Sequence, residues 1–546
     1  MQEKISFCPP ASALRDSWES PRTLHTFANR TSRPTNQNLQ KSAIYQPTKK
    51  IEPMPLKEIV LKGEQKRVLF LPAIEPIQIK GVAGSGKTTV ALYRAKHLIE
   101  TQNNLFKETK VAIFTFNKTL TNYIEAIKFN ISGGYQKDSE EITPRSAPGL
   151  NVQVVNFHKW AYWFLRNRGI EAFIDFRSFP VFQSSSIEKH RKILLAKYPD
   201  NNVLNKRVEF FIEEFKWIKG KLLLSKDDYL NAPRTGRGTS DRVTQTDREY
   251  IWNIFESYNK DLKNAGKIDF DDYAILCLKE IENDTTFEAP FTHIIVDEAQ
   301  DLSKAQILTI SKIVSPETKS LSIIADTAQR IYKSGFSWKE VGIEVRGNRT
   351  LSLKKNYRNT EAISLAATSL LNHDPDPSEF TIAEPARKGG EKREILFCSD
   401  WNNETQYIIE KLKQIDLKNE LTVLLHRDWN GMRKLKNLLV YNSIECEIIN
   451  ENSSMNFDNG MVKICTLSSV KGLEFDNVFI TEVNEENIPY PSGFNDENDD
   501  IHISTERRLL YTAMTRAREK LYLSLNGTPS RYINEIDEEY VQIIKA

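Results

Sequence analysis

Nine residues, "GVAGSGKTT" from Gly81 to Thr89, follow directly on the apolar stretch "IEPIQIK". Three glycines, one lysine and adjacent threonines at the end of a strand have the composition of a phosphate cradle. The spacing G-x-x-x-x-G-K-[ST] is met by Gly81, Gly86, Lys87 and Thr88, and a helical pattern, "TTVALYRAKHLIE", follows at once. Backbone freedom lets the N–H groups of Gly81, Val82, Ala83, Gly84, Ser85 and Gly86 curl around phosphate oxygens. The helix N-terminus beginning near Thr88 and Thr89 adds partial positive charge. Lys87 then reaches the β- and γ-phosphates, and Thr88 is placed to ligate Mg²⁺.

A second acidic cluster completes such a site. "HIIVDEAQD" (293–301) ends an apolar run on Asp297, where a Mg²⁺-holding carboxylate belongs, and Glu298 can polarise an attacking water. Acidic pairs after strands are common. Standing downstream of a phosphate loop on the same expected sheet, this one indicates a nucleoside triphosphatase with Mg²⁺; the resemblance below makes the nucleotide ATP.

Further segments follow in a fixed order: "FTFNKTL", "VVNFHKWA", "ADTAQRIY", "LKKNYRNT", "TLSSVKGLEFDNVFI" and "RRLLYTAMTRAREKLYL". With the two above, they resemble the motif series of superfamily 1 DNA helicases of the UvrD/Rep/PcrA type, over residues 60 to 525. The resemblance implies two tandem RecA-like cores and assigns roles. Gln65 is placed like the adenine-reading glutamine, and Gln329 resembles the γ-phosphate sensor. Arg358 and Arg516 resemble arginine fingers, whose planar, always-charged guanidinium suits a phosphoryl group in transfer. Glu474 resembles the ribose contact. For single-stranded DNA the candidates are Phe116, His158, Tyr332 and Tyr357 as stacking rings, with Thr115 and Thr466 as hydroxyls on the backbone. Core packing is the competing reading of each ring. The implied polarity is 3′-to-5′.

Three departures stand out. Where the family has Trp-Arg-Gly after the third motif, this chain reads "IYKSGFSW", with Ser334 at the stacking position and Phe336 or Trp338 as substitutes. Ser468 stands where histidine is usual. Arg358 and Lys471 are about 110 residues apart, too close to admit the family's large second insertion. The expectation is therefore an ATP-driven translocase more than a processive unwinder. The alternative is a nucleotide-gated remodelling or sensor subunit that answers to a protein partner such as a nuclease or RNA polymerase. A small-molecule kinase would explain none of the C-terminal motifs.

The elements that must position these groups are legible as well. The 546 residues carry 40% apolar and 27% charged side chains and a net charge of +2, so any polyanion surface must be a local stripe. Five scattered cysteines without CxxC spacing, and no apolar run of membrane length, fit a cytoplasmic protein without a membrane partner. Residues 1–50 read as a loosely ordered arm. "IQIK", "VAIFTF", "VQVVNF", "HIIVDE" and "LSIIAD" read as buried parallel strands, giving an α/β fold. The expected first core is split into 51–165 and 286–350 by a helical insertion at 166–285. The basic loop "NAPRTGRGTSDR", with Arg234, Arg237 and Arg242, lies within that insertion. A second core occupies 351–546.

Overall fold

The computed structural model describes residues 60–102, 108–115, 121, 124, 152–171, 173–175, 178–233, 243–326, 337–345, 347–374, 383–390, 393–449, 460–490 and 500–545. The arm at 1–50, the basic loop with Arg234, Arg237 and Arg242, and the candidates Phe116, Gln329, Tyr332 and Phe336 lie outside the described residues, as does Ser334.

β1 (Ile77–Gly81) leads through the glycine loop into α1 (Lys87–Gln102), then β2 (Val111–Thr115), β3 (Val152–Asn156) and α2 (Phe157–Arg166). A run of helices follows: α3 (Phe179–Lys197), α4 (Val208–Gly220), α5 (Lys226–Asn231), α6 (Gln245–Asn264) and α7 (Asp272–Asn283). The chain then returns to the sheet with β4 (His293–Asp297), α8 (Lys304–Lys312), β5 (Ser320–Ala325) and β6 (Thr350–Leu353). These strands form one parallel sheet in the order β3-β2-β4-β5-β1-β6. β6 pairs with β1, so the first sheet keeps the chain to Leu353, three residues past the boundary expected at 350. β4 and β5 are buried along their whole length, which is why they read as short, mostly apolar runs, with only small serines (Ser320, Ser322) among the apolar residues of β5.

The helical insertion has its own aromatic core, with Phe215 stacked on Tyr258 and Tyr229 on Trp252. Buried Lys219 on α4 is held between Asp269 (2.7 Å) and Asp272 (2.6 Å). α7 packs on α2 and α8, so the insertion shares one continuous core with the first sheet.

β7 (Lys355–Thr360) and α9 (Glu361–Leu371) open the second core, followed by β8 (Glu384–Arg387), β9 (Arg393–Cys398), α10 (Trp401–Lys413) and β10 (Thr422–His426). α11 (Trp429–Tyr441), β11 (Cys446–Ile448), β12 (Val462–Thr466), β13 (Phe475–Ile480), α12 (Asp500–Met514), β14 (Ala517–Asn526) and β15 (Val541–Lys545) complete it. Its parallel sheet runs β11-β12-β10-β13-β14-β9-β15, while β7 pairs with β8 apart from it. Among the described residues between Arg358 and Lys471, every strand and helix belongs to this core.

Candidate nucleotide site and nucleic-acid interface

The loop after β1 bends where only glycine fits easily. Gly84 and Gly86 have φ of +71° and +77°, and a Cβ on Gly84 would lie 2.0 Å from the Asn356 Oδ1 of β7. The second core thus touches the loop directly: Tyr357 N donates to Gly84 O (2.9 Å). Lys87 Nζ donates to Gly81 O and Val82 O (each 3.2 Å) and to Asp326 Oδ2 (2.9 Å). Ser85 Oγ in the loop, Tyr357 Oη beside Gly63 and Arg358 Nε are buried without a hydrogen-bond partner. Unpaired buried polar groups are costly, and a polar ligand at the loop would relieve the first of them.

Gln65 sits on a 3-10 turn (Gly63–Phe70) that buried Arg94 of α1 ties down by donating to Leu71 O (2.8 Å) and Pro72 O. Its amide accepts from Lys62 N and donates to Ser85 O, both at 2.7 Å. Gln65 therefore braces the phosphate loop from the side, with both ends of its amide engaged by backbone.

At the end of β4, Asp297 Oδ2 accepts from Thr88 Oγ1 (2.8 Å), joining the two residues expected to hold Mg²⁺. Burial first, and the Glu298 charge second, push the Asp297 carboxyl up to about 7. A divalent cation there would relieve this cost. Two protein oxygens suit Mg²⁺, which completes its shell with water and phosphate. Glu298 takes a left-handed backbone (φ +54°), an outlier of the kind that collects at functional sites. Burial alone would raise its carboxyl, but Lys471, Lys87 and Arg516 outweigh that and hold it down at about 2. It is thus an ionised base of low proton affinity, suited to orienting water. Gln300 links the pieces, since its Nε2 donates to Glu298 Oε2 while its Oε1 accepts from Asp326 N (3.0 Å).

The second core brings its arginines to this cleft. Arg358 Nη2 donates to Glu474 Oε1 (2.5 Å) and Nη1 to Thr515 O (3.3 Å). Arg516 is almost wholly buried, and its Nε donates to Thr512 O (2.9 Å). Burial and the neighbouring Arg358 lower its proton affinity, to about 10, while Glu298, Glu474 and Asp326 favour its charge. Asn359 anchors the strand of Arg358 to the segment of Arg516 by donating to Thr515 O (3.0 Å) and Ala517 O (2.5 Å).

Two such cores meeting at a phosphate loop can be compared with known families. A model described as the UvrD/REP helicase N-terminal domain matches residues 61–339, and one described as the UvrD-like helicase C-terminal domain matches 351–457 and 450–528. The chain belongs to the UvrD/REP helicase family. It is 26% identical over 354 residues to the ATP-dependent DNA helicase PcrA of Leuconostoc citreum, covering 62% of this chain and 43% of that protein. A probable DNA helicase of Mycoplasma pneumoniae is 23% identical over 505 residues, covering 85% of this chain and 84% of that one. A probable DNA helicase II homolog of Rickettsia felis is 25% identical over 371 residues, 65% and 51% of the two chains. This chain spans less than half the length of the PcrA proteins it matches.

In this UvrD/REP-family chain the described residues expected around the nucleotide, Gln65, Lys87, Thr88, Asp297, Glu298, Arg358 and Arg516, lie around one cleft. The described residues expected for DNA are placed as follows. The Tyr357 hydroxyl reaches the position a Gly63 Cβ would take and its backbone N–H donates to Gly84 O, so the structure places it beside the phosphate loop. His158 is enclosed by the ring edges of Phe157, Phe270 and Tyr273, with Gln306 Nε2 at 3.5 Å from its Nε2. Burial of the ring, then Lys216, lower it to about 4, so this half-buried histidine is neutral near neutral pH. Trp338 packs on the core shared with the insertion. Thr115 is buried with its hydroxyl on Thr121 Oγ1 (2.8 Å). Thr466 Oγ1 accepts from Ser469 N (3.2 Å) and lies 2.9 Å from Ser469 Oγ. Glu474 pairs with both Arg358 and Arg518, which hold its carboxyl far below the usual range against the opposing effect of burial. It anchors an arginine where a ribose contact was expected. Sequence reasoning missed Gln300, Asp301, Asp326 and Lys471; the polar residues inside "DEAQD", "ADTAQ" and "VKGLEF" were the available signal.

Proposed function

We propose that this chain is an ATP-driven translocase on single-stranded DNA, moving 3′-to-5′. The observation that carries the reading is the arrival of Arg358, whose Cβ lies beside Gly84, and of Arg516, which interacts with Glu298, from the second core at the cleft that holds Lys87, Asp297 and Glu298 of the first. No helix among the described residues is long and apolar enough to cross a membrane.

ATP, when bound, supplies the phosphoanhydride that water cleaves, and Mg²⁺ held by Thr88 and Asp297 would supply charge neutralisation. The glycine loop and Lys87 hold phosphate oxygens; Lys87 must first exchange its own carbonyls and Asp326 for them. Glu298 orients the attacking water, and Gln329 is assigned the sensing of the terminal phosphate. Arg358 and Arg516 meet the charge that develops on the transferred group. Because these arginines belong to the second core, turnover requires the cleft to be closed, and release lets it open. Alternate closing and opening is the step that moves a bound strand.

The test is ATP hydrolysis with and without an unstructured oligonucleotide, with Glu298→Gln as the inactive control. Strong stimulation by the strand alone is expected, as is displacement of streptavidin from a 5′-biotin and not from a 3′-biotin. That, among the described residues between Arg358 and Lys471, every strand and helix belongs to the second core favours a second reading, a remodelling subunit. Stimulation only by a copurifying protein would establish that reading and remove the first.

A further inference from the structure

The cleft is bridged by an ammonium that the phosphate chemistry leaves without a role. Lys471, from the second core, places Nζ 2.5 Å from Asp301 Oδ2 and 3.8 Å from Glu298 Oε2 of the first, and all three side chains are buried. Its turn follows β12 and is closed by Val470 N donating to Thr466 O (3.2 Å). The same segment is locked to Arg516, since Phe475 N donates to Arg516 O (3.0 Å).

On the first core the contacts continue inward. Glu298 accepts from Gln300, Gln300 accepts from Asp326 N, and Asp326 pairs with Lys87. An unbroken line of polar contacts thus runs from the second core through the water-orienting carboxylate to the phosphate-loop lysine. A buried ammonium between two carboxylates holds them in place only while it is there, and it is there only while the cores are closed.

We propose that Lys471 is a positioning residue: its ion pairs with Asp301 and Glu298 aim the Glu298 carboxylate when the second core closes. This rests on the ATPase reading above. It makes closure supply the geometry of the water-orienting group as well as the arginines, so an open cleft is doubly idle.

The experiment measures ATP turnover of the full chain with a deoxythymidine oligonucleotide, together with binding of a non-hydrolysable ATP analogue. Lys471→Met is expected to lower kcat by about 10- to 100-fold, the range for a misplaced reacting group. Analogue affinity and KM should stay within about twofold of wild type. Lys471→Arg should recover most of the loss. Asp301→Asn should fall in the same direction, and the double variant should fall no further than Lys471→Met, as expected for one shared interaction. A Lys471→Met enzyme with wild-type kcat overturns the inference while leaving the ATPase reading intact. A loss that comes with weakened analogue binding and a lower unfolding temperature, and that arginine does not repair, overturns it in favour of a purely structural ion pair. A wild-type chain with no turnover removes the parent reading, and this inference with it.

Discussion

Tyr357 N of the second core donates a hydrogen bond to Gly84 O of the first, at 2.9 Å. The phosphate loop is therefore shaped partly by the other core, and Asn356 and Arg358 flank that contact. Asn356 Oδ1 accepts from Arg358 N and Asn359 N (each 3.0 Å), which fixes the turn that aims Arg358.

Gly84→Ala should disturb both sides of this contact. Its φ of +71° disfavours any side chain, and the added Cβ would sit 2.0 Å from Asn356 Oδ1. Left-handed backbone alone costs about 1–2 kcal/mol, and displacing Asn356 adds to it. A lower urea midpoint and weakened ATP-analogue binding are expected, measured by equilibrium unfolding and titration.

Arg516→Ala should separate binding from chemistry. The guanidinium lies among Glu298, Glu474 and Asp326 and not on the phosphate loop itself. ATP-analogue affinity should persist while single-turnover hydrolysis falls by roughly 10³-fold, as for arginine fingers elsewhere. An unchanged rate would take Arg516 out of the site.

Glu474→Gln distinguishes an anchor from a sugar contact. Both carboxylate oxygens are on arginines, Arg358 at 2.5 Å and Arg518 at 2.8 Å. Loss of the charge should lower kcat by roughly tenfold through a less well-held Arg358. The preference for ATP over its 2′-deoxy analogue should not move. Steady-state kinetics with both nucleotides reads the outcome.

His158 sets a pH dependence of stability. Its folded value, about 4, lies below the ordinary value of 6.5, because burial and then Lys216 oppose its charge. The unfolded chain therefore takes up a proton first as pH falls. The contribution is full above pH 6.5 and is lost as pH falls from 6.5 towards 4. Urea midpoints of wild type and His158→Asn should converge as pH drops through that window. Parallel curves would show that His158 does not titrate in isolation.

Much of this was readable in the chain. "HIIVDE" and "LSIIAD" read as strands because central parallel strands are buried along their whole length and run mostly apolar, while "IQIK" shows the two-residue alternation of a strand with one face more exposed; both are local signals. The phosphate loop was readable for a similar reason: its glycines answer to backbone angles and its lysine to a phosphate a few residues away.

The stacking rings were not. Whether His158 or Trp338 faces a groove or a core depends on Phe270, Tyr273 and the insertion helices, which lie far along the chain. Tyr357 likewise belongs to the nucleotide side only because Gly63 and Gly84 fold onto it. Sequence alone determined the family, the α/β cores and the residues of the phosphate loop, since those are written in short, contiguous patterns. Tertiary structure alone decided which charges share the cleft, because Lys471 and Asp301 are 170 residues apart and only packing of the two cores brings them to 2.5 Å.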